Sequence, residues 1–210
     1  MASLNLPQLR TNPFRVLGLS ASAGQADIFA AARRMRIFAN PQEISSTQWD
    51  VPSLGALSRE RTDIEHSVSQ LSDPVTRLEH RQRWFAHVPP SLKKSWKLQG
   101  DPNELDPGVA SHDRDLWQIA ALLMSDPSMK RGDAWHDAFS AFFTSTSNPA
   151  YLSWMRQVEQ EGRFDKVATA SEMKFVADSV VMMVGEQLAE QARSALDHGA
   201  RAEVRHHQEG

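Results

Sequence analysis

Residues 62–86, TDIEHSVSQLSDPVTRLEHRQRWFA, predict two helices that meet at a corner. Asp73 can accept hydrogen bonds from the free amides at the start of the second helix, and Pro74 suits its first position. The apolar residues of the first helix recur at spacings of four and three and therefore share one face: Ile64, Val68 and Leu71. This stretch predicts a helical fold in which the chain turns sharply between packed helices.

The composition is that of an ordinary globular protein. The 210 residues are 40% hydrophobic and 23% charged, which is enough to bury a sizeable core. A net charge of −3 argues against a wholly basic nucleic-acid binder. Because the chain has no cysteine, disulfides, thiolate metal sites and a cysteine nucleophile are excluded. We therefore expect a cytoplasmic protein.

The apolar stretches are too short for a membrane or a secretory signal. Leu4, Leu6 and Leu9 near the N-terminus are interrupted by polar residues and proline. The longest apolar stretch, residues 175–184, contains Asp178 and is shorter than a bilayer requires. We predict no membrane span.

Two further helices are predicted before the corner. Asn12 and Pro13 repeat the cap-and-proline pattern, and Ser22 with Gln25 predicts a capping box for the next helix. One face of that second helix is apolar: Ile28, Ala31, Ala32, Met35 and Phe38. The opposite face is basic: Arg33, Arg34 and Arg36. We expect the apolar face to pack on the first helix of the corner.

Residues 12–87 resemble a J domain, the module that defines DnaJ-type co-chaperones. The resemblance rests on VLGL at 16–19, on the helix that follows it and on LSDP at 71–74, in the same order and at about the same separation. It implies an antiparallel helical hairpin with flanking helices, within a domain at residues 1–88.

The loop after the basic helix departs from that family. Asn40, Pro41 and Gln42 stand where J domains carry a histidine-proline-aspartate signature, which engages a heat-shock chaperone ATPase. Gln42 is neutral where the family has a carboxylate, and this removes a charge-assisted contact of roughly 1.5–3 kcal/mol. The resemblance therefore implies a degenerate J domain that keeps the fold and lacks the trigger for ATP hydrolysis.

The candidate partner-binding residues lie on the basic helix and in this loop. The three arginines match the basic face that J domains present to an acidic chaperone surface, although a solvated helix face is the simpler interpretation. Trp49 lies in the loop between polar residues and is either an interface anchor or part of the core. The predicted set is Arg33, Arg34, Arg36, Asn40, Pro41, Gln42 and Trp49.

A change in charge follows the corner. The residues from 77 to 97 are mainly basic, whereas those from 101 to 126 are mainly acidic. Two solvated faces are the simpler interpretation, and a basic patch for a partner is the alternative. That patch would consist of Arg77, Arg81, Arg83, Lys93, Lys94 and Lys97.

The second half of the chain predicts a helical bundle. Residues 89–112 are predicted to be a connector, residues 113–198 the bundle and residues 199–210 a flexible tail. Asn148 with Pro149 predicts one helix start, and a capping box at Thr169 and Glu172 predicts the start of the last helix. We did not recognise a family in this half.

No catalytic or metal-binding motif is present in the sequence. The eight histidines include no HExxH pair, and His66 and His80 are interpreted as surface groups beside charged residues. Neither a GxSxG turn nor a glycine-rich phosphate loop occurs. We therefore expect no enzyme activity, no cofactor, no metal and no catalytic residue.

These patterns predict an all-α adaptor protein, with a J-like domain followed by a bundle, that holds protein partners. A bacterial multi-component system such as phage defence is one setting in which it would act. The alternative is a divergent J-domain co-chaperone that regulates a heat-shock chaperone ATPase through its arginine face. A third, weaker alternative is nucleic-acid binding through residues 77–97. The partner's identity and the oligomeric state stay open.

Overall fold

The chain folds into packed α-helices. The computed structural model describes residues 6–37, 54–55, 57, 59–87, 107–124, 132–179, 182 and 186. The helices are α1 (Leu6–Arg10), α2 (Pro13–Val16), α3 (Gln25–Ile37), α4 (Arg61–Ser72), α5 (Pro74–Gln82), α6 (Pro107–Met124), α7 (Gly132–Thr146) and α8 (Pro149–Glu161), and residues 170–179 are also helical. These ranges contain no strand, which confirms the all-α class. None of their helices is both long and apolar enough to cross a membrane.

Three helices begin with the predicted cap and proline. The side-chain oxygens of Asn12, Asp73 and Asn148 each accept a hydrogen bond from a first-turn amide, at 3.0, 2.8 and 2.9 Å respectively. The proline that follows occupies a position where no amide partner is needed. The predicted box at Thr169 and Glu172 is also confirmed, with amide-to-side-chain bonds of 2.7 and 3.2 Å. Local chemistry is therefore sufficient to start these helices.

The predicted capping box at Ser22 and Gln25 is wrong. The amide of Gly24 instead donates to Asp27 Oδ2 at 3.0 Å. The side chain and the amide of Gln25 bond to the segment after α8, with Nε2 at 2.8 Å from Asp165 Oδ2 and N at 2.9 Å from the Gly162 carbonyl. A tertiary partner therefore takes the role that sequence spacing assigned to Ser22.

The helices α3 and α4 pack against each other. The buried side chains of α3 are Ile28, Ala31, Ala32 and Met35, and those of α4 are Ile64, Ser67 and Leu71. A cavity of about 50 Å³ is lined both by residues at the start of α3 and by residues at the end of α4, so these two ends lie side by side. That placement is the one expected for antiparallel helices.

Two buried arginines attach α2 to the segment before α4. Arg59 Nε donates to the Val16 carbonyl at 2.7 Å, and its Nη2 donates to the Arg15 carbonyl at 3.0 Å. Arg15 in turn donates to the carbonyls of Arg10 and Gly55, at 3.0 and 2.5 Å. Both side chains are 1% exposed. These four hydrogen bonds to backbone oxygens offset part of the cost of burying the two charges.

The predicted domain boundary does not separate two cores. Helix α6 already begins at Pro107, inside the predicted connector, and Val109 and His112 on it are each 1% exposed. One hydrophobic cluster joins both halves, with Phe14, Leu17, Ile28, Leu71, Trp84 and Phe85 from the first half and Leu116, Ile119, Ala120, Phe139 and Phe142 from the second. The two predicted units therefore share a core. The predicted tail lies outside the described residues.

Candidate partner-docking surface

The outer face of α3 carries the predicted arginines in exposed positions. Arg33, Arg34 and Arg36 are all exposed, because the opposite face of the helix is the one that enters the core. Two large apolar residues accompany them, with Phe29 49% exposed and Ile37 71% exposed. A shallow groove of about 480 Å³ is lined by Phe29, Ala30, Arg33, Arg34 and Ile37. We call these five residues, together with Arg36, the α3 surface.

The α3 surface has the chemistry of a protein-docking site. Phe29, Ala30, Arg33 and Ile37 follow the helical spacing of three and four, so they form one stripe along α3. An exposed apolar stripe flanked by guanidinium groups suits an amphipathic helix laid along it. Arginine and aromatic residues are also the types most often found at the centre of interfaces.

The other predicted partner-binding residues lie outside the part of the chain that the structure describes. They are Asn40, Pro41, Gln42 and Trp49. The same holds for half of the predicted basic patch, namely Lys93, Lys94 and Lys97. Their predicted roles stay predictions.

The prediction of an exposed basic patch is wrong for Arg77, Arg81 and Arg83. Arg77 and Arg81 are 0% exposed and Arg83 is 7% exposed, so none of them offers a charged surface. Arg77 and Arg81 both pair with Glu159 on α8, whereas Arg83, directly after α5, lies 3.9 Å from Glu79 on α5. Nucleic-acid binding through residues 77–97 therefore cannot use these three arginines as a surface patch, and for the rest of the segment it stays a prediction.

Glu159 stands between two guanidinium groups in the core. Its Oε1 accepts from Arg77 Nε at 2.9 Å and from Arg81 Nη2 at 3.0 Å, and its Oε2 accepts from Arg77 Nη2 at 2.5 Å. The ring of Phe164 covers Arg77, with its centroid 3.7 Å from Cζ. Burial lowers the pKa of Arg81 to about 10, and the carboxylate opposes that effect. Glu159 and the two arginines thus form a buried ion group that joins α5 to α8.

Backbone carbonyls accept further hydrogen bonds from these two arginines. Arg77 donates to the carbonyls of Leu71 and Lys166, at 2.9 Å each. Arg81 donates to the carbonyl of Ala21, at the turn before α3. Sequence reasoning missed this group because Glu159 lies among polar neighbours on α8. The only local signal is that Arg77 and Arg81 are four residues apart, and that spacing also fits a solvated face.

A ring stack packs α6 against α8. His112 and Tyr151 are each 1% exposed, and their ring centroids are 3.9 Å apart with nearly parallel planes. Burial, and then the nearby Asp113, raises the pKa of Tyr151 well above its ordinary value. Asp113 itself accepts hydrogen bonds from the amides of Ala86 and His87, at 3.0 and 2.7 Å. In the described ranges no three histidine, aspartate or glutamate side chains converge as metal ligands would.

His80 is half-buried and not the surface group expected from sequence. Burial, followed by repulsion from Arg83 and His66, lowers its pKa from 6.5 to about 4. The unfolded chain therefore binds this proton more tightly than the folded protein does. The contribution of His80 to the free energy of unfolding is therefore fully present above pH 6.5. It falls as the pH drops towards 4, by up to about 3 kcal/mol.

The acid limb is the fall in the free energy of unfolding between pH 6.5 and 4. We expect His80→Gln to make this fall smaller. Urea unfolding at a series of pH values between 6.5 and 4 would measure the free energy of unfolding for the variant and the wild type. His136 is exposed on α7 and is not among the groups that lower the pKa of His80, so His136→Gln provides the matched control. Parallel curves for wild type and His80→Gln would contradict the assignment.

No protein-family model, no curated protein and no solved structure matches this chain. The described residues by themselves define an all-α protein with an exposed apolar and basic helix face.

Proposed function

We propose that this protein is a non-catalytic cytoplasmic adaptor that binds a partner protein on the α3 surface. The observation that carries the proposal is the exposure of Phe29 and Ile37 beside Arg33 and Arg34, on a helix whose other face is buried. The start of α3 is attached to the segment after α8 through Gln25. The surface is therefore presented on a rigid element, which limits the entropy lost on binding.

The positive charge of the α3 surface favours an acidic partner. Three exposed arginines lie towards the end of α3, whereas its first turn carries Asp27. We infer an amphipathic helix with apolar residues along its centre and acidic residues at its flanks. Such a partner would fill the groove with apolar groups and pair its carboxylates with the guanidinium groups.

Charge reversal of the arginines tests the proposal. Capture from the native host with the wild type, compared with the variant Arg33→Glu/Arg34→Glu/Arg36→Glu, would identify the proteins that depend on this surface. With the purified partner we expect the dissociation constant to rise on the order of 100-fold in the variant, because each reversal replaces attraction with repulsion. The wild-type affinity should also fall with added salt.

A matched control separates the surface from net charge. Arg61, Arg114 and Arg156 are exposed on other helices, and their reversal changes the net charge by the same amount. We expect that control to retain full binding. Equal loss in both triple variants, or no loss in either, would rule out the α3 surface as the docking site.

A divergent J-domain co-chaperone is the second candidate. It is supported by the exposure of Arg33, Arg34 and Arg36 on the helix where the J-domain resemblance places a chaperone-facing basic surface. Stimulation of a purified heat-shock chaperone ATPase by the wild type, lost on reversal of these arginines, would favour this candidate over an adaptor alone.

A further inference from the structure

A second groove lies between the start of α3 and the end of α8. Its volume is about 530 Å³. Gly24 and Gly162 are among its lining residues, and a Cβ atom on Gly24 would lie only 3.0 Å from the Cα of Gly162. The hydrogen bond from the amide of Gln25 to the Gly162 carbonyl holds the two segments together. The groove is therefore a built feature of the contact between the two halves of the chain.

An indole and two carboxylates line this groove. Trp154 is half-buried, and it stacks on Tyr151 with ring centroids 5.5 Å apart. Asp27 and Glu161 are exposed at the groove, and Arg163 is the cation among its lining residues. The lining charge is thus −1. This chemistry is opposite to that of the α3 surface.

We propose that this groove binds a cationic side chain, a lysine or arginine of a partner protein, against the indole of Trp154. A cation over an indole face is attracted by the ring quadrupole, and nearby carboxylates strengthen the attraction. The cation–π contacts formed within the described chain involve Phe14 and Phe164, so none of its arginines occupies the Trp154 ring. The site lies beside Ala26 and Asp27, at the opposite end of α3 from Ile37.

Hydrogen bonds position both carboxylates at the groove. Gln157 lies one turn before Glu161 on the same helix, and its Nε2 donates to Glu161 Oε1 at 2.8 Å. The Gly24 amide donates to Asp27 Oδ2. The two carboxylates come from different helices, α3 and α8, and both line the groove. None of the residues that line this groove belongs to the α3 surface.

A pair of short peptides provides the probe. We would titrate the full-length protein with acetyl-Ala-Ala-Arg-Ala-Ala-amide and with its glutamine counterpart, and follow the indole N–H resonance of Trp154 by NMR. The variant Trp154→Phe assigns that resonance. We expect a saturable shift with the arginine peptide, weakened by added salt, and no saturable shift with the glutamine peptide.

Two variants locate the site. Glu161→Gln keeps the size of an exposed side chain and should weaken binding of the arginine peptide about fivefold. Glu65→Gln removes an exposed carboxylate on α4, away from the groove, and should leave the affinity unchanged. No saturable shift, equal shifts with both peptides, or equal weakening by both variants would overturn the proposal. Arg33, Arg34 and Arg36 are unaltered in these tests, so either proposal can fail while the other stands.

Discussion

Replacing Glu159 by glutamine is expected to lower the free energy of unfolding by about 3–5 kcal/mol. Glu159, Arg77 and Arg81 are all 0% exposed, so water cannot compensate for a missing charge. A glutamine can accept at one oxygen, but its amide group would face a guanidinium donor. The variant would then hold two buried cations without a carboxylate, and the repulsion between them would favour the unfolded chain.

Urea unfolding at neutral pH, followed by circular dichroism, would measure this loss as a lower transition midpoint. Glu161 is two residues away on the same helix and is exposed. We expect Glu161→Gln to change stability by no more than about 0.5 kcal/mol. If Glu159→Gln unfolded at the same urea concentration as Glu161→Gln, the buried ion group would not contribute as we infer.

Replacing Trp84 by alanine is expected to cost about 3–5 kcal/mol of stability. Trp84 is 1% exposed and belongs to the cluster that joins the two halves of the chain. Its ring lies 5.3 Å from that of Phe85, and its Nε1 donates to the Leu19 carbonyl at 2.9 Å. Alanine would leave a cavity in the shared core and would leave that carbonyl without its indole partner.

The variant Trp84→Phe separates these two contributions. Phenylalanine fills most of the volume and removes only the indole donor, so we expect a smaller loss of about 1–3 kcal/mol. Circular dichroism is the suitable signal for both variants, since the change removes one fluorophore. Equal losses for Trp84→Ala and Trp84→Phe would show that burial of the ring is not the main contribution.

Both substituted residues lie where the two halves of the chain are in contact, so we expect this contact to contribute much of the stability of the fold. Glu159 reaches Arg77 across 82 positions of sequence, and Trp84 lies in a cluster with Leu116 and Phe139. Sequence reasoning placed a boundary between these residues because proline, acidic and polar residues are concentrated there. That composition describes a connection, but it carries no information about whether the elements on either side pack together.

The sequence predicted the burial pattern of α3 well. A stripe of Ile28, Ala31, Ala32 and Met35 on one face required the arginines to lie away from it, and both expectations are met. The exposure of Phe29 and Ile37 was not predicted. Apolar residues beside a core-facing stripe are equally able to turn inwards, and only the positions of the neighbouring helices decide between the two.

The groove at Trp154 could not have been predicted from spacing. Asp27 belongs to α3 and Glu161 to α8, and no periodic pattern relates them. Gly24 and Gly162 allow the two segments to approach closely. In sequence, however, neither can be distinguished from a glycine that only ends a helix.

The sequence by itself determined the helical class and where three of the helices start. Asn12, Asp73 and Asn148 cap their own helices through residues only two or three positions away, so the interaction depends on nothing more distant. The tertiary structure alone decided which charges are buried. Arg77 and Arg81 became core residues because Glu159 and several backbone carbonyls meet them there, and the desolvation of a charge is tolerated only where such partners converge.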